Sequence, residues 1–336
     1  MNSLERILAA TRFEAVDRPP LVPQLFGHAA VNAGLSLRAY LHDGAALACA
    51  QLAERERYGT DAVFGFMDFG VEAEALGAGL RFYEDRYPDI VDPVLIPEGD
   101  ANCLTLPDPQ ISGRMPVCLD GLRRMRAALG DSALVAGAVA GPMTLSVQLY
   151  GIESALYVAI DDPQRFSATL DFSTRLAILF ARAQLNAGAH AVVVFDPAAS
   201  PAVVPAAFFR AHLLPRLTQL MSALRQEGAA FTWLNIAGPT AGILDCYPRI
   251  GADIATFDYY VDADEACRLL PRTCLAGNLK SLDFLDAEPE AVEQQARALV
   301  ATFHARGGFL LSSGCEIPPE AASANISAIG AALRGD

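Results

Sequence analysis

The residues of this chain that could do chemistry sit just beyond short apolar runs. The last such run is residues 309–312. A Ser-Gly turn follows, then Cys315 and Glu316 side by side, then Pro318-Pro319, expected to open a final helix. A strand, a small-residue turn, a thiol beside a carboxylate and a helix start would present a reactive group at the mouth of an α/β barrel, where such folds keep their active sites. Cys315 can equally be one small apolar residue in a loop. Three aspartates hold similar positions: Asp68 after FGFM, Asp196 after VVVF and Asp258 after ATF. A carboxylate there holds a cation, accepts a proton or orients a ligand. A strand-end Asp also caps helices and shapes turns. His28, in an expected turn after Gly27, and Asn235 and Asn278, at two further strand ends, complete the row. His42, His190, His212 and His304 fall on expected helices or their ends and read as solvated or structural. The chain has no P-loop, no GxGxxG and no GxSxG; AGAVAG before Pro142 lacks the spacing of a phosphate cradle.

Eight apolar runs would position these groups: residues 21–26, 62–67, 133–139, 191–195, 230–234, 254–257, 274–276 and 309–312. Each is followed by a small or polar turn and then a helical stretch. That alternation predicts βα units, and continuous apolar runs predict strands covered on both faces. The fold class expected is α/β, a (β/α)8 TIM barrel formed by one domain over residues 1–336. Asp162 and Pro163 should start a helix reaching Ala187. A helix over 205–225 should be kinked or split by Pro215, and AVEQQARALVATF has helical spacing. Residues 70–131 are too long for a simple connection. They carry GLRFYEDRYPDIVDPVLIP and read as a lid-like insertion after the second strand, a hairpin plus a helix over 119–129.

Composition narrows the classes. The chain has 336 residues, 52% of them hydrophobic, and a formal charge of -14. A large core is available and disorder is disfavoured. The negative balance argues against nucleic-acid or anionic-membrane partners, which need clustered Lys and Arg. No apolar run approaches a membrane span, and MNSLERILAATRF reads as a short amphipathic helix rather than a signal peptide. The seven scattered cysteines show no CxxC, so neither a disulfide framework nor a zinc finger is expected, and a reducing cytoplasm is the expected compartment.

Several stretches together resemble the uroporphyrinogen decarboxylase superfamily: DRPPLVPQLFG, YGTDAVFGFMD, AGPMTLSVQLYG, VVVFDPAASP, LAGNLKSLDFL and GGFLLSSGCEIPPEA, in that order along nearly the whole chain. The resemblance implies a (β/α)8 barrel. It is closest to the branch that passes a methyl group from methylcobalamin to a thiol such as coenzyme M. That branch implies zinc held by a His-x-Cys pair after strand five and a Cys after strand eight. Here Cys315 stands in the latter place, but the pair reads Asn235-Ile236-Ala237. The decarboxylase branch implies a tetrapyrrole-contacting Asp, matched by Asp68. It also implies Arg residues after strand one, where this chain reads GHAAVNAGLSLR. A Tyr expected after strand three is Gln148 here, with Tyr150 close by; a Ser after the strand-four Asp is Pro197; a His after strand eight is Cys315. The resemblance leaves three readings. One is a methyl transferase with an atypical metal site, Asp196, Asp68 and Cys315 at its centre, a corrinoid as methyl donor and a corrinoid protein as partner. The second is a decarboxylase or other lyase acting on a small or tetrapyrrole-like substrate. The third is a non-catalytic corrinoid- or tetrapyrrole-binding protein. His28, Asn235, Gln148, Tyr150, Asp258, Asn278 and Glu316 are the expected ligand contacts around a small-molecule substrate.

Overall fold

The computed structural model describes residues 1–334. Its strands are β1 (Ala62–Phe64), β2 (Gly79–Arg81), β3 (Asp89–Asp92), β4 (Leu134–Ala140), β5 (Ala191–Phe195), β6 (Trp233–Asn235), β7 (Ile254–Thr256), β8 (Cys274–Leu279) and β9 (Phe309–Ser313). Seven form one parallel sheet in the order β1-β4-β5-β6-β7-β8-β9; β2 and β3 pair antiparallel as a separate hairpin. Successive parallel strands are joined by helical segments, the longest being Pro163–Asn186, which Asp162 caps by accepting the Arg165 N–H at 3.0 Å.

The sheet's strands divide their side chains with a period of two. Leu134, Ala136 and Ala138, then Ala191, Val193 and Phe195, then Phe231 and Trp233, then Cys274 and Ala276 belong to one buried cluster, together with Val22, Phe26, Phe64 and Phe66. Their strand neighbours Val135, Val139, Val192, Val194, Leu234, Ala255 and Leu275 belong to a second, much larger one that packs against the helices. Opposite faces of a strand take alternate residues, so the first cluster is the inside of a curled sheet and the second its outer jacket.

The expected first strand, 21–26, is the chief departure from the sequence reading. Only Leu21 makes a ladder contact, a parallel bridge to Leu311. Pro20 and Pro23 flank that residue and lack the N–H groups that a ladder needs. The segment nonetheless lies between the two edges of the sheet. Leu311 donates to Pro20 O at 2.8 Å, Val22 donates to Leu311 O at 2.9 Å, and Asp61, just before β1, donates to Leu21 O at 2.8 Å. The buried Asp61 carboxylate fastens this seam. It takes Arg6 and Arg18 at 2.7 Å each and the Leu21 N–H at 2.7 Å.

Smaller departures have local causes. The stretch expected as one helix over 205–225 is broken into Ala206–Phe208, a wide π-type turn Phe209–Leu213 and Leu214–Gln226. Pro215 cannot donate to the preceding turn, and a wide turn accommodates its ring. Pro318-Pro319 do not open the last helix. They lie in a turn closed by Ala321 N–H to Pro318 O at 3.0 Å, and the helix is Ser323–Ala331. His28 sits within a short helix, Gly27–Asn32, rather than a turn. Between β1 and β4 the chain runs through helix Val71–Ala75, the β2–β3 hairpin, a 3-10 turn Ala101–Cys103 and helix Met115–Leu129. No single described helix is long and apolar enough to cross a membrane; one pair that passes jointly, Pro142–Tyr150 and Ile152–Asp161, is bent by 106°.

Candidate active site

At the C-terminal end of the sheet lies a cavity of about 170 Å³ lined by Gln24, Phe26, Phe66, Phe69, Phe195, Pro197, Asn235, Ala237, Cys315 and Glu316. Four of these ten residues are phenylalanines. Phe66 meets Phe69 edge-on with centroids 5.2 Å apart, and Phe26 meets Phe195 edge-on at 5.8 Å. These rings reach the cavity because Phe26, Phe66 and Phe195 carry the inward parity of their segments.

Asn235 continues the inward row of Phe231 and Trp233 and is almost fully buried, 3% exposed. Its amide direction follows from a chain of bonds. The Ser313 carbonyl only accepts, so the Gln24 Nε2 amide group faces it at 3.1 Å. Gln24 Oε1 then accepts from Asn235 Nδ2 at 3.0 Å. Asn235 Oδ1 is left with no protein partner among the described residues, on a side chain that lines the cavity. Gln24 is itself held at both backbone groups, by Ser313 Oγ at 3.3 Å and by the Ile317 N–H at 3.0 Å.

Cys315 Sγ lies 3.1 Å from Ser281 Oγ. That hydroxyl already donates to the Cys315 carbonyl at 2.8 Å. Its one proton is therefore committed and the thiol is the donor in the sulfur contact. Burial, the largest influence, pushes the thiol's pKa up, so Cys315 is held as S–H. Glu316 Oε1 accepts the Gly27 N–H at 3.0 Å and the Tyr87 O–H in a short bond from the segment joining β2 to β3. Burial raises its pKa to about 7 against the lowering effect of those donors. Oε2 has no protein partner among the described residues.

Other residues singled out from the sequence lie elsewhere. Asp196 follows Phe195 and has the opposite parity. It points to the start of helix Pro142–Tyr150, accepting the Thr144 N–H at 2.7 Å and the Met143 N–H at 3.3 Å. It is fully buried there, which pushes its pKa up to about 6. Gly141 permits this approach; a Cβ on it would fall 2.4 Å from Asp196 Cβ. Asp68 forms a two-pronged ion pair with Arg114, at 2.6 and 3.1 Å, and also accepts the Gly70 N–H. Asp258 accepts the Gly238 and Tyr259 N–H groups at 2.8 and 2.7 Å. His28 is buried against Glu54 and the Ala321 carbonyl. Asn278 donates to Val261 O at 2.9 Å. Tyr150 donates to Gly99 O at 3.0 Å, and Gln148 lines a separate outer groove beside the hairpin. The cavity thus gathers Asn235, Cys315 and Glu316, while the strand-end aspartates serve turns, a helix start and an ion pair. Sequence reasoning passed over Gln24 and the four phenylalanines. Inward parity was the available signal for Gln24, Phe26, Phe66 and Phe195; nothing local marked Phe69.

The family model described as "Uroporphyrinogen decarboxylase (URO-D)" matches residues 2–335. The chain belongs to the uroporphyrinogen decarboxylase family. Within it, the chain is 28% identical to a uroporphyrinogen decarboxylase of Anaeromyxobacter sp. strain Fw109-5, over 96% of both chains. It is 29% identical to the methylcobamide:CoM methyltransferase of Methanosarcina barkeri over 65% of this chain and 63% of that one. The solved methyltransferase from Methanosarcina mazei superposes with a TM-score of 0.90 at 25% identity, covering 99% of this chain and 98% of the other. A B12-independent methionine synthase from Shewanella shares the fold, with a TM-score of 0.63 at 12% identity. The family's relatives named here are enzymes of two kinds, decarboxylases and methyltransferases.

The zinc that the methyltransferase resemblance implies does not fit this donor set. Asn235 has its amide nitrogen committed to Gln24, Ala237 offers only a methyl group, and Cys315 is the one sulfur in the wall. Zinc sites draw about four donors, mostly thiolate or imidazole. No group of three His, Cys, Asp or Glu side chains able to hold a metal occurs among the described residues.

Proposed function

We propose that this protein is a methyl-transferring enzyme that receives a small acceptor in the aromatic-walled cavity, without the zinc that the methyltransferase resemblance implies. The observation that carries this reading is the meeting of an unpaired amide carbonyl and a half-buried carboxyl with a raised pKa at a cavity of about 170 Å³. The close superposition on a methyltransferase supports it. We take the curled sheet and the 20–22 seam as a closed (β/α)8 barrel, with residues 70–131 as an insertion that covers its mouth through Tyr87.

The chemistry assigns few roles. The acceptor's lone pair forms a bond to the methyl carbon. The bond from that carbon to the donor breaks, its electron pair leaving with the donor. The acceptor's proton passes to the Glu316 carboxylate. A group with a pKa near 7 is suited to that task at neutral pH, being part deprotonated and still basic. Asn235 orients the acceptor, and Cys315, held as a thiol, is wall. The donor is read as a methylated corrinoid, the class named in the methylcobamide relatives, carried by a partner protein that would meet the mouth.

Decarboxylation of a tetrapyrrole has less support. A substrate with many carboxylates needs cationic partners, preferably Arg, and the lining contains no Arg, Lys or His. The deciding assay incubates the protein with methylcobalamin and small neutral thiols and phenols, with and without a chelator. Mass spectrometry should show a methylated acceptor at a rate the chelator leaves unchanged. Glu316→Gln should slow it on the order of 100-fold, the usual worth of a positioned base. Turnover of uroporphyrinogen with no methyl transfer would overturn the reading.

A further inference from the structure

We infer that the cavity takes a small, non-anionic aromatic molecule whose single hydrogen-bond-donating group meets Asn235 Oδ1 in the resting complex. This deepens the functional reading above and rests on its treatment of the cavity as the acceptor site. Size comes first. An apolar cavity of roughly 150 Å³ holds a benzene-sized guest, and this one is about 170 Å³. Neither a tetrapyrrole nor a long flexible chain fits within it.

Shape and surface come next. Phe26, Phe66, Phe69 and Phe195 present ring edges and faces at mutual angles from 46° to 84°. An aromatic guest completes such a set through edge-to-face contacts, which add to simple area burial. Its polarity is specified by what is missing and what is free. No cationic side chain lines the cavity, so a carboxylate or sulfonate would lose its water with no compensating charge. Two oxygens of the wall lack a protein partner among the described residues, Asn235 Oδ1 and Glu316 Oε2; the first is fixed in direction by Gln24 and Ser313 and can only accept. A guest that displaces water from this amide oxygen without offering a donor leaves it unpaired at a cost, and a donor on the ligand avoids that cost. A hydroxyl, thiol or N–H on a ring satisfies all three conditions. The pair Asn235 and Ala237 thus does more than lose a metal: the amide supplies a polar anchor and the methyl group leaves room beside it.

The test compares three probes of one size by ligand-observed NMR and calorimetry: phenol, toluene and benzoate. Phenol should bind at least tenfold tighter than toluene, and benzoate should bind more weakly than phenol. Asn235→Leu should reduce the phenol-over-toluene preference below threefold while keeping toluene binding, which also shows that the variant folds. Phe195→Ala should weaken phenol and toluene alike. Benzoate binding as tightly as phenol, an unchanged phenol preference in Asn235→Leu, or no binding of any probe would each overturn the inference. Methylation assays on the same preparation separate the two readings. The expected probe ranking without methylated product would overturn methyl transfer and leave the ligand class standing. Methylation of an anionic acceptor would overturn the ligand class alone.

Discussion

Glu316 shows how one residue's surroundings set a measurable property. Its carboxyl lies in a wall of phenylalanines and is raised to about 7, while the unfolded chain's Glu titrates near its ordinary value of about 4.3. The folded state therefore binds a proton that the unfolded state has already released. Stability is greatest below the unfolded value and declines as pH rises towards about 7, then levels. Asp196, raised to about 6, and Glu72, raised to about 7 and accepting the Ala140 N–H, add slopes of the same sign. Urea midpoints measured at intervals from pH 5 to pH 8 should fall in the native protein. Glu316→Gln should flatten that fall without abolishing it; an unchanged slope would show that Glu316 is ionised throughout.

At the scale of elements, the hairpin β2–β3 is tied to the mouth by few bonds. Tyr87 reaches Glu316 from between the two strands, and Leu37 N–H donates to Glu84 O at 2.8 Å. The β3 residues are mostly exposed. Segments with few buried contacts open locally at low cost. Tyr87→Phe removes one hydrogen bond, worth about 1 kcal/mol. Amide exchange in residues 79–92 should accelerate several-fold while exchange in β4 and β5 stays as it was. Uniform acceleration across the sheet would mean that the hairpin does not open on its own.

At the scale of the whole molecule, one buried carboxylate holds the seam between the first segment and β1. Asp61 is fully buried and paired to Arg6 and Arg18. Removing one partner of a buried ionic set strands the others and costs about 3 kcal/mol or more. Asp61→Ala should lower the urea midpoint accordingly in a single cooperative transition. A loss below about 1 kcal/mol would show that the seam does not depend on this network.

Much of the architecture could be read from local pattern. Strand β5 matches its expected range, 191–195, and helix Pro163–Asn186 begins at its expected cap, because buried parallel strands are continuous apolar runs and Asp-Pro is a helix start. Cys315, Glu316 and Asn235 could be picked out as residues of the candidate cavity for a similar reason: they stand at or just beyond strand ends. The remainder was decided by tertiary structure. A strand end can direct a side chain inward or outward, and one residue of parity separates Phe195 in the cavity from Asp196 at a helix start. Adjacent sequence cannot show that Gln24 orients Asn235 across 211 residues, or that Glu316 takes its donors from Gly27 and Tyr87. Composition and periodicity determined which elements form, because burial and backbone bonding act locally. Which groups share the cavity, and hence its aromatic wall, was decided only when the sheet curled and brought distant strand ends together.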